Sequence, residues 1–443
     1  MTSSPTPGLV IAAPASGSGK TVVTLGLLRA LRAAGVAVSS CKVGPDYIDP
    51  RFHAAASGRP CRNLDPWAMR PATLARLAAR AGEGAELLVV EGVMGLFDGA
   101  ADGTGSTADL AAAAGWPVVL VLDVARQGAS AAAVLHGFRG FRKDVDVAGV
   151  ILNRVGSESH EAQIRQALAP LGVPVLGAVR RDAALDLPQR HLGLVQAQEH
   201  AELDAFLDRA GGVLAAAVDL EALRALARPG RLGEAGGSVL PAIGLPALGQ
   251  RIAVARDAAF AFAYPHLLEG WRDRGAELLP FSPLADEGPD AGADAVYLPG
   301  GYPELHAGRL AGNARFLGGL RAAADRGAAV YGECGGYMAL GAVLEDADGK
   351  AYAMAGLLPV STSFAKRRLH LGYRRAVTLA DGPWGPRGTE LRGHEFHYAS
   401  TTAADAGAPL FQAWDARGAD LGAMGSRRGS VCGSFLHVVD AAG

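Results

Sequence analysis

Lysine is scarce in this chain. Lys20, Lys42, Lys143, Lys350 and Lys366 stand against 37 arginines, so positive charge is drawn from arginine and a lysine kept inside a motif stands out. Cysteine is equally sparse: Cys41, Cys61, Cys334 and Cys432 make no C-x-x-C pair and no Cys/His cluster with zinc spacing. That excludes a structural zinc or a disulfide framework and points to a reducing, cytoplasmic setting. An excess of charge is missing too. With 42 basic and 44 acidic residues, a net charge of −2 and no like-charge block at either end, neither nucleic acid nor a polybasic membrane contact is expected. The longest apolar run, Leu110 to Leu122, is too short to span a bilayer and contains Gly115 and Pro117. The N-terminus has no basic residue before its first apolar run, which leads into a Gly-Lys motif and not a cleavage site, so it reads as part of the mature fold. No short-period repeat or low-complexity tail appears. What remains is the composition of a soluble globular protein, 49% hydrophobic and 19% charged over 443 residues, enough for about three ordinary domains or two large α/β ones.

The first half alternates short β-rich apolar runs (GLVIAAP, VAVSSCKV, ELLVVEGV, PVVLVLDV and VAGVILNRV) with Ala/Leu/Arg helical stretches. Unbroken apolar runs of this kind predict strands buried on both faces of a parallel sheet. Between Arg228 and Gln250 the chain is Gly/Pro-rich and loses its periodicity. The rhythm then restarts with RIAVARD, AELLPFS, AVYLPGG and AAVYGECGG and gives way to two longer alternating stretches, RRLHLGYRRAVTL and ELRGHEFHYAS, which predict antiparallel strands. The expected fold is α/β throughout: a P-loop parallel-sheet domain over 1–230, a linker over 231–250, and a second α/β domain over 251–443.

Gly17-Ser18-Gly19-Lys20-Thr21 follows one predicted strand and opens a predicted helix whose apolar residues Val22, Leu25, Leu28 and Leu31 recur at helical spacing before Gly35. In such a loop Gly17 and Gly19 let backbone amides close around phosphate oxygens, Lys20 reaches the outer phosphates and Thr21 ligates Mg²⁺. Pro14 stands where the motif usually begins with glycine. Asp46 and Glu91 end later strands, at the sheet edge where such folds do chemistry, and suit Mg²⁺ as hard oxygen ligands. Lys42 is a candidate to neutralise a phosphate or a substrate carboxylate. Asn153 ends GVILN, where an amide can read the adenine edge.

In the second half, AAVYGECGG followed by YMALGAVLE is a strand, a tight turn and a helix, with Gly332-Glu333-Cys334-Gly335-Gly336 as the thiol counterpart of a G-x-S-x-G elbow. Cys334 is the expected nucleophile, with a helix N-terminus behind it favouring thiolate. Gly335 and, from the loop LPGGYPE, Gly301 are the expected oxyanion donors. His437, in CGSFLHV, is the expected base.

These motifs, together with VGPDYIDPRFH, EGVMGLFDG, GHEFHYAS and ASGSGKT, resemble the cobyrinic or hydrogenobyrinic acid a,c-diamide synthases of cobalamin biosynthesis over essentially the whole chain. The resemblance implies a dethiobiotin synthetase-like ATPase domain followed by a class I glutamine amidotransferase domain. It implies ATP and Mg²⁺ as cofactors, served by Asp46 and Glu91, with adenine at Asn153. It implies hydrogenobyrinic or cobyrinic acid and L-glutamine as substrates, glutamine being hydrolysed at Cys334 and His437. The reaction implied is amidation of the a and c carboxylates through acyl phosphates, in a cytoplasmic carbon–nitrogen ligase for which a homodimer is left open. Tyr47, Arg51 and Asp98 lie in the family motifs of the ATPase side and take supporting roles. Arg368 and Arg374 share a strand face with His370 and are expected either to meet macrocycle carboxylates or to be solvated charge on an edge strand. Many class I amidotransferases carry a Glu two residues after the His; here that position is Val439, and Asp440 is out of register, so the third member of the site stays open. His394, Glu395 and His397 alternate across a strand, which argues against one metal site. The rival readings are a cobyric acid synthase-type amidase and a partition-type regulatory ATPase; Ala15, where the latter carries a signature lysine, disfavours it.

Overall fold

The computed structural model describes residues 5–185, 189–190, 193–194, 196–199, 202–232, 245–404 and 407–442. It forms two compact units, Met1–Trp67 with Pro71–Leu240, and Ala68–Arg70 with Pro241–Gly443. Most of the linker expected over 231–250 lies outside the described residues. Among the described residues no helix is long and apolar enough to cross a membrane.

The first unit is built on a parallel sheet of β1 (Pro7–Ala12), β2 (Val38–Val43), β3 (Arg62–Leu64), β4 (Leu87–Glu91), β5 (Val118–Asp123), β6 (Val147–Val155) and β7 (Val175–Arg180), in the order β3-β2-β4-β1-β5-β6-β7. β2 and β4 are buried along their whole length, as their unbroken apolar runs require. All five runs singled out in the sequence become strands; β3 and β7 had not been singled out. Helix α1 (Lys20–Ala33) starts directly after the glycine loop and buries Leu25, Leu28 and Leu31 of the expected stripe; Val22 is only half-buried, and Val23 and Leu27 are buried as well because the helix Leu203–Ala217 packs along it. It ends where expected: Gly35, at φ 81°, donates its amide to the Arg32 carbonyl at 3.0 Å.

The second unit carries two sheets that matter for the site. One runs Glu277–Phe281, Arg251–Ala255, Ala295–Leu298, Ala329–Glu333, Val431–Ser434 in parallel, closed by antiparallel Ser426–Arg428. The other is antiparallel, in the order Asp420–Met424, Phe411–Asp415, His370–Thr378, Glu390–His397, Leu436–Ala441. The strand bearing Arg374 is therefore internal, which removes the edge-strand reading of its charge.

At the end of Ala329–Glu333 the chain reverses into a short helix, Gly335–Leu340. The reversal needs its glycines. A Cβ on Gly336 would lie 2.0 Å from the Leu298 carbonyl oxygen, and one on Gly332 2.7 Å from the Gly336 carbonyl carbon. Gly336→Ala is accordingly expected to cost at least about 1–3 kcal/mol through overpacking against rigid backbone. Urea unfolding checks this; an unchanged midpoint contradicts the packing described.

Candidate active sites

In the first unit a cavity of about 550 Å³ opens over the glycine loop, lined by Gly17, Gly19, Lys20, Thr21, Asn153 and Arg181 among others. Asn153 donates its amide to the Ser18 carbonyl at 2.9 Å. One of its two N–H bonds is engaged in holding the loop, and the side chain lines the cavity with its second N–H and its carbonyl oxygen still to offer.

Glu91, fully buried at the end of β4, gathers the rest. Its Oε1 accepts from Thr21 Oγ1 at 2.7 Å and from Lys42 Nζ at 2.8 Å, with Lys20 Nζ at 3.8 Å; its Oε2 lies 2.5 Å from His53 Nε2. Burial alone would raise its pKa. The Lys42 ammonium, then His53 and Lys20, overturn that and hold the carboxyl well below its ordinary range. Lys42 is itself fully used, since Nζ also donates to the Gly92 carbonyl at 2.9 Å and pairs with Asp49 at 3.1 Å. It assembles the acids and has no donor left over for a phosphate. Burial and the nearby Lys42 lower the pKa of Lys20.

Thr21 Oγ1 and Glu91 Oε1 are hard oxygens spaced like neighbouring ligands of one small cation, so this pair fits Mg²⁺. Asp46 is differently occupied. Its Oδ1 accepts the amides of Ile48 and Asp49 at 2.7 and 2.9 Å, and burial beside Asp49 raises its pKa to about 6, against the pull of Lys42. It caps the turn into the helix Asp49–Ser57, within electrostatic range of Lys20. Tyr47 is buried on that turn and Arg51 half-buried one turn on. Asp98 accepts the Gly95 amide at 2.8 Å. The sequence reading missed Asp49 and His53, although both stand in the DPRFH motif.

In the second unit Cys334 has φ 48° and ψ −105°, a conformation that strains any residue with a Cβ. His437 stands beside it: a Cβ on Gly300 would lie 2.4 Å from His437 Cε1, 3.1 Å from its Nε2 and 3.3 Å from Cys334 Cβ. The two expected oxyanion glycines also meet, since a Cβ on Gly335 would be 3.0 Å from the Gly301 amide nitrogen. The expectation of a thiolate fails in this state. Burial pushes the Cys334 pKa far up and Glu304, Glu333 and Glu395 add to it, while the Gly335 amide pulls it down. A six-residue helix does not outweigh that. His437 is pushed down to about 3 by burial and by neighbouring His394 and His397, against Glu395. The resting pair is a neutral thiol beside a neutral imidazole.

Arg374 is committed within this unit. Its guanidinium holds Glu395 Oε2 at 2.7–2.8 Å, and Glu395 Oε1 takes His397 Nε2 at 2.9 Å. That corrects both earlier readings, solvated charge and a guanidinium available to a carboxylate of the macrocycle. Arg368 is exposed. Among the described residues His370, Glu395 and His397 bring ligand atoms within 4.8 Å of one another. The two imidazoles are parallel within 5° at 4.6 Å between centroids, so their in-plane lone pairs run side by side and do not converge on one ion.

The strain at Cys334 is testable apart from chemistry. The mirror image of its φ and ψ is open to L-residues, so glycine adopts the conformation freely, whereas alanine keeps the strain. Relief of about 1–3 kcal/mol outweighs about 0.4–1 kcal/mol from the freer unfolded chain. Cys334→Gly should therefore melt above Cys334→Ala, and the reverse order in calorimetry contradicts a strained elbow.

Residues 9–195 match the CobQ/CobB/MinD/ParA nucleotide binding domain and residues 251–442 the CobB/CobQ-like glutamine amidotransferase domain. The chain is 60% identical over 438 residues to the hydrogenobyrinate a,c-diamide synthase of Brucella suis biovar 1 (strain 1330), covering 98% of this chain and 99% of that one. Identity is 58% to the protein of that name from Rhizobium meliloti (strain 1021), over 98% and 99%, and 56% to the Rhodobacter capsulatus one, over 98% of each. Two sites of different chemistry, both domain matches and end-to-end similarity agree: the chain belongs to the hydrogenobyrinate a,c-diamide synthase family of amide-forming ligases.

Proposed function

We propose that this protein uses ATP and glutamine to amidate the a and c side-chain carboxylates of hydrogenobyrinic acid. The observation that carries the reading is the pairing, on one chain, of a strained thiol elbow beside a neutral imidazole with a glycine loop whose lysine and threonine meet a buried glutamate. Neither half suffices alone. A carboxylate has no adequate leaving group, and an amidotransferase module supplies only nitrogen.

At the elbow, His437 takes the Cys334 proton as Sγ adds to the side-chain carbonyl of glutamine, and the Gly301 and Gly335 amides receive the oxyanion. Collapse returns that proton to the departing ammonia and leaves a thioester, which water hydrolyses to glutamate. At the glycine loop a substrate carboxylate oxygen attacks the γ-phosphorus, ADP leaves, ammonia displaces phosphate from the acyl phosphate, and an amide remains. Loop amides and Lys20 spread the charge on the transferred phosphoryl group. Thr21 and Glu91 are the residues suited to hold Mg²⁺, which when bound neutralises phosphate oxygens. Lys42 and His53 keep Glu91 ionised for that role.

Mass spectrometry of products from hydrogenobyrinic and cobyrinic acids, supplied in parallel with glutamine and Mg·ATP, tests the substrate; diamide formed from the hydrogenobyrinic acid is the expected result, and none from either contradicts the reading. Cys334→Ala should lose glutamine-dependent synthesis while ammonium salts at high pH restore the same diamide. Retention of glutamine use would remove Cys334 as nucleophile. Lys20→Ala should abolish synthesis with either nitrogen source yet leave basal glutamine hydrolysis, measured as glutamate release; full synthetic turnover would overturn the loop assignment.

A further inference from the structure

Glu333 immediately precedes the nucleophile and is fully buried at the end of an apolar strand. A carboxyl group there is costly unless something uses it. Its Oε2 accepts from Tyr297 Oη at 2.8 Å and lies 3.8 Å from His437 Nδ1, while its Oε1 accepts the amide of Val438, next to that histidine, at 3.1 Å. The imidazole thus presents Nδ1 to Glu333 and Nε2 to the side on which Cys334 sits. Two other acids are taken: Glu395 holds Arg374 and His397, and Asp440, in the second unit like Arg70, holds the guanidinium and backbone amide of Arg70 at 2.9–3.1 Å. Val439 offers only its carbonyl, which His266 Nε2 contacts at 2.9 Å.

We infer that Glu333 is the positioning carboxylate of the amidotransferase site, reaching His437 from the strand before the nucleophile in place of a glutamate two residues after the histidine. The inference rests on the proposed glutamine hydrolysis at Cys334. Glu333 fixes the tautomer with the proton on Nδ1, leaves the Nε2 lone pair to accept the thiol proton, and stabilises the imidazolium that results. The 3.8 Å separation is longer than a hydrogen bond; contacts of this kind commonly tighten when substrate binds. The Val438 amide on Oε1 ties the carboxylate to the backbone that carries the imidazole.

The groups facing this pair define its pH response. Tyr297 comes from the neighbouring strand, Tyr331 from Glu333's own strand, and His394, Glu395 and His397 lie within electrostatic range of His437 from Glu390–His397. Burial raises Glu333 to about 7, with the Tyr297 and Tyr331 hydroxyls and the Val438 amide pulling the other way. With burial holding Cys334 above and His437 below its ordinary pKa, Glu333 is the group of this pair left to titrate near neutrality, and glutamine hydrolysis should rise as it ionises through about pH 7 and level off above it.

The experiment compares Glu333→Gln and Glu333→Asp with the wild type, reading kcat and KM for glutamine hydrolysis from pH 6 to 9 and ammonia-dependent diamide synthesis as the control. Glu333→Gln should lower hydrolytic kcat on the order of 10²- to 10⁴-fold with KM little changed, lose the limb near pH 7 and retain ammonia-dependent synthesis. Glu333→Asp should recover part of kcat and the limb. Hydrolysis within twofold of wild type with the limb intact overturns the inference, as does equal loss of hydrolysis and ammonia-dependent synthesis, which marks a structural role. A wild type that releases no glutamate from glutamine fails the proposed function instead.

Discussion

A backbone can turn its amides toward a ligand at the end of a parallel strand only if it doubles back with no side chain in the way. Both sites in this protein depend on that constraint. In the first unit the turn after β1 is made by Gly17 and Gly19, both at positive φ, and α1 begins at Lys20. In the second unit Gly332 and Gly336 leave room for the reversal and Cys334 itself takes the positive φ. In the proposed reaction the first turn addresses phosphate and the second an oxyanion, so one local solution would serve two chemistries. What differs is the residue held at the apex, an ammonium in one case and a thiol in the other.

The charge around each apex follows from a buried glutamate that ends a parallel strand, and the two glutamates behave in opposite ways. Glu91 is surrounded by Lys42, His53 and Lys20 and stays ionised well below the usual range. Glu333 meets hydroxyls and an amide, no full positive charge offsets its burial, and its pKa climbs to about 7. The same side chain at equivalent places in two sheets is thus a fixed anion in one and a group poised near neutrality in the other. A permanent charge suits the holding of a cation. A carboxyl that ionises near neutral pH, 3.8 Å from the His437 imidazole, suits the acceptance and return of a proton in the proposed glutamine hydrolysis.

Much of this was legible in the sequence because it is local. The glycine loop, the elbow, the strand runs ending at Glu91 and Glu333, and the left-handed stop at Gly35 all lie within a few residues of the signal that reveals them. What escaped depends on contacts between segments far apart in the chain. From the sequence Arg374 reads equally as a substrate contact or as solvated edge-strand charge until its partner Glu395, 21 residues away, is seen. Glu333 has no role in the sequence reading of the elbow; its place shows only with Val438, 105 residues on, donating to it. The position two residues after the histidine holds Val439, and a strand's neighbours across a sheet cannot be counted from one segment alone. His53 and Asp49 were visible as letters of a motif, but their meeting with Glu91 and Lys42 required the register of β2 against β4. The expected thiolate failed for a related reason: a helix N-terminus can be read from sequence, whereas the burial that opposes it cannot.

In the proposed reaction nitrogen release and carboxylate activation are separate chemistries, and activation is phosphorylation of the substrate. Turnover of hydrogenobyrinic acid labelled with ¹⁸O in its carboxylates tests this directly, with mass analysis of the phosphate released. Attack of a carboxylate oxygen on the γ-phosphorus, followed by displacement with ammonia, transfers one labelled oxygen to inorganic phosphate for each amide formed. Phosphate free of label, or label appearing in AMP, would contradict the account.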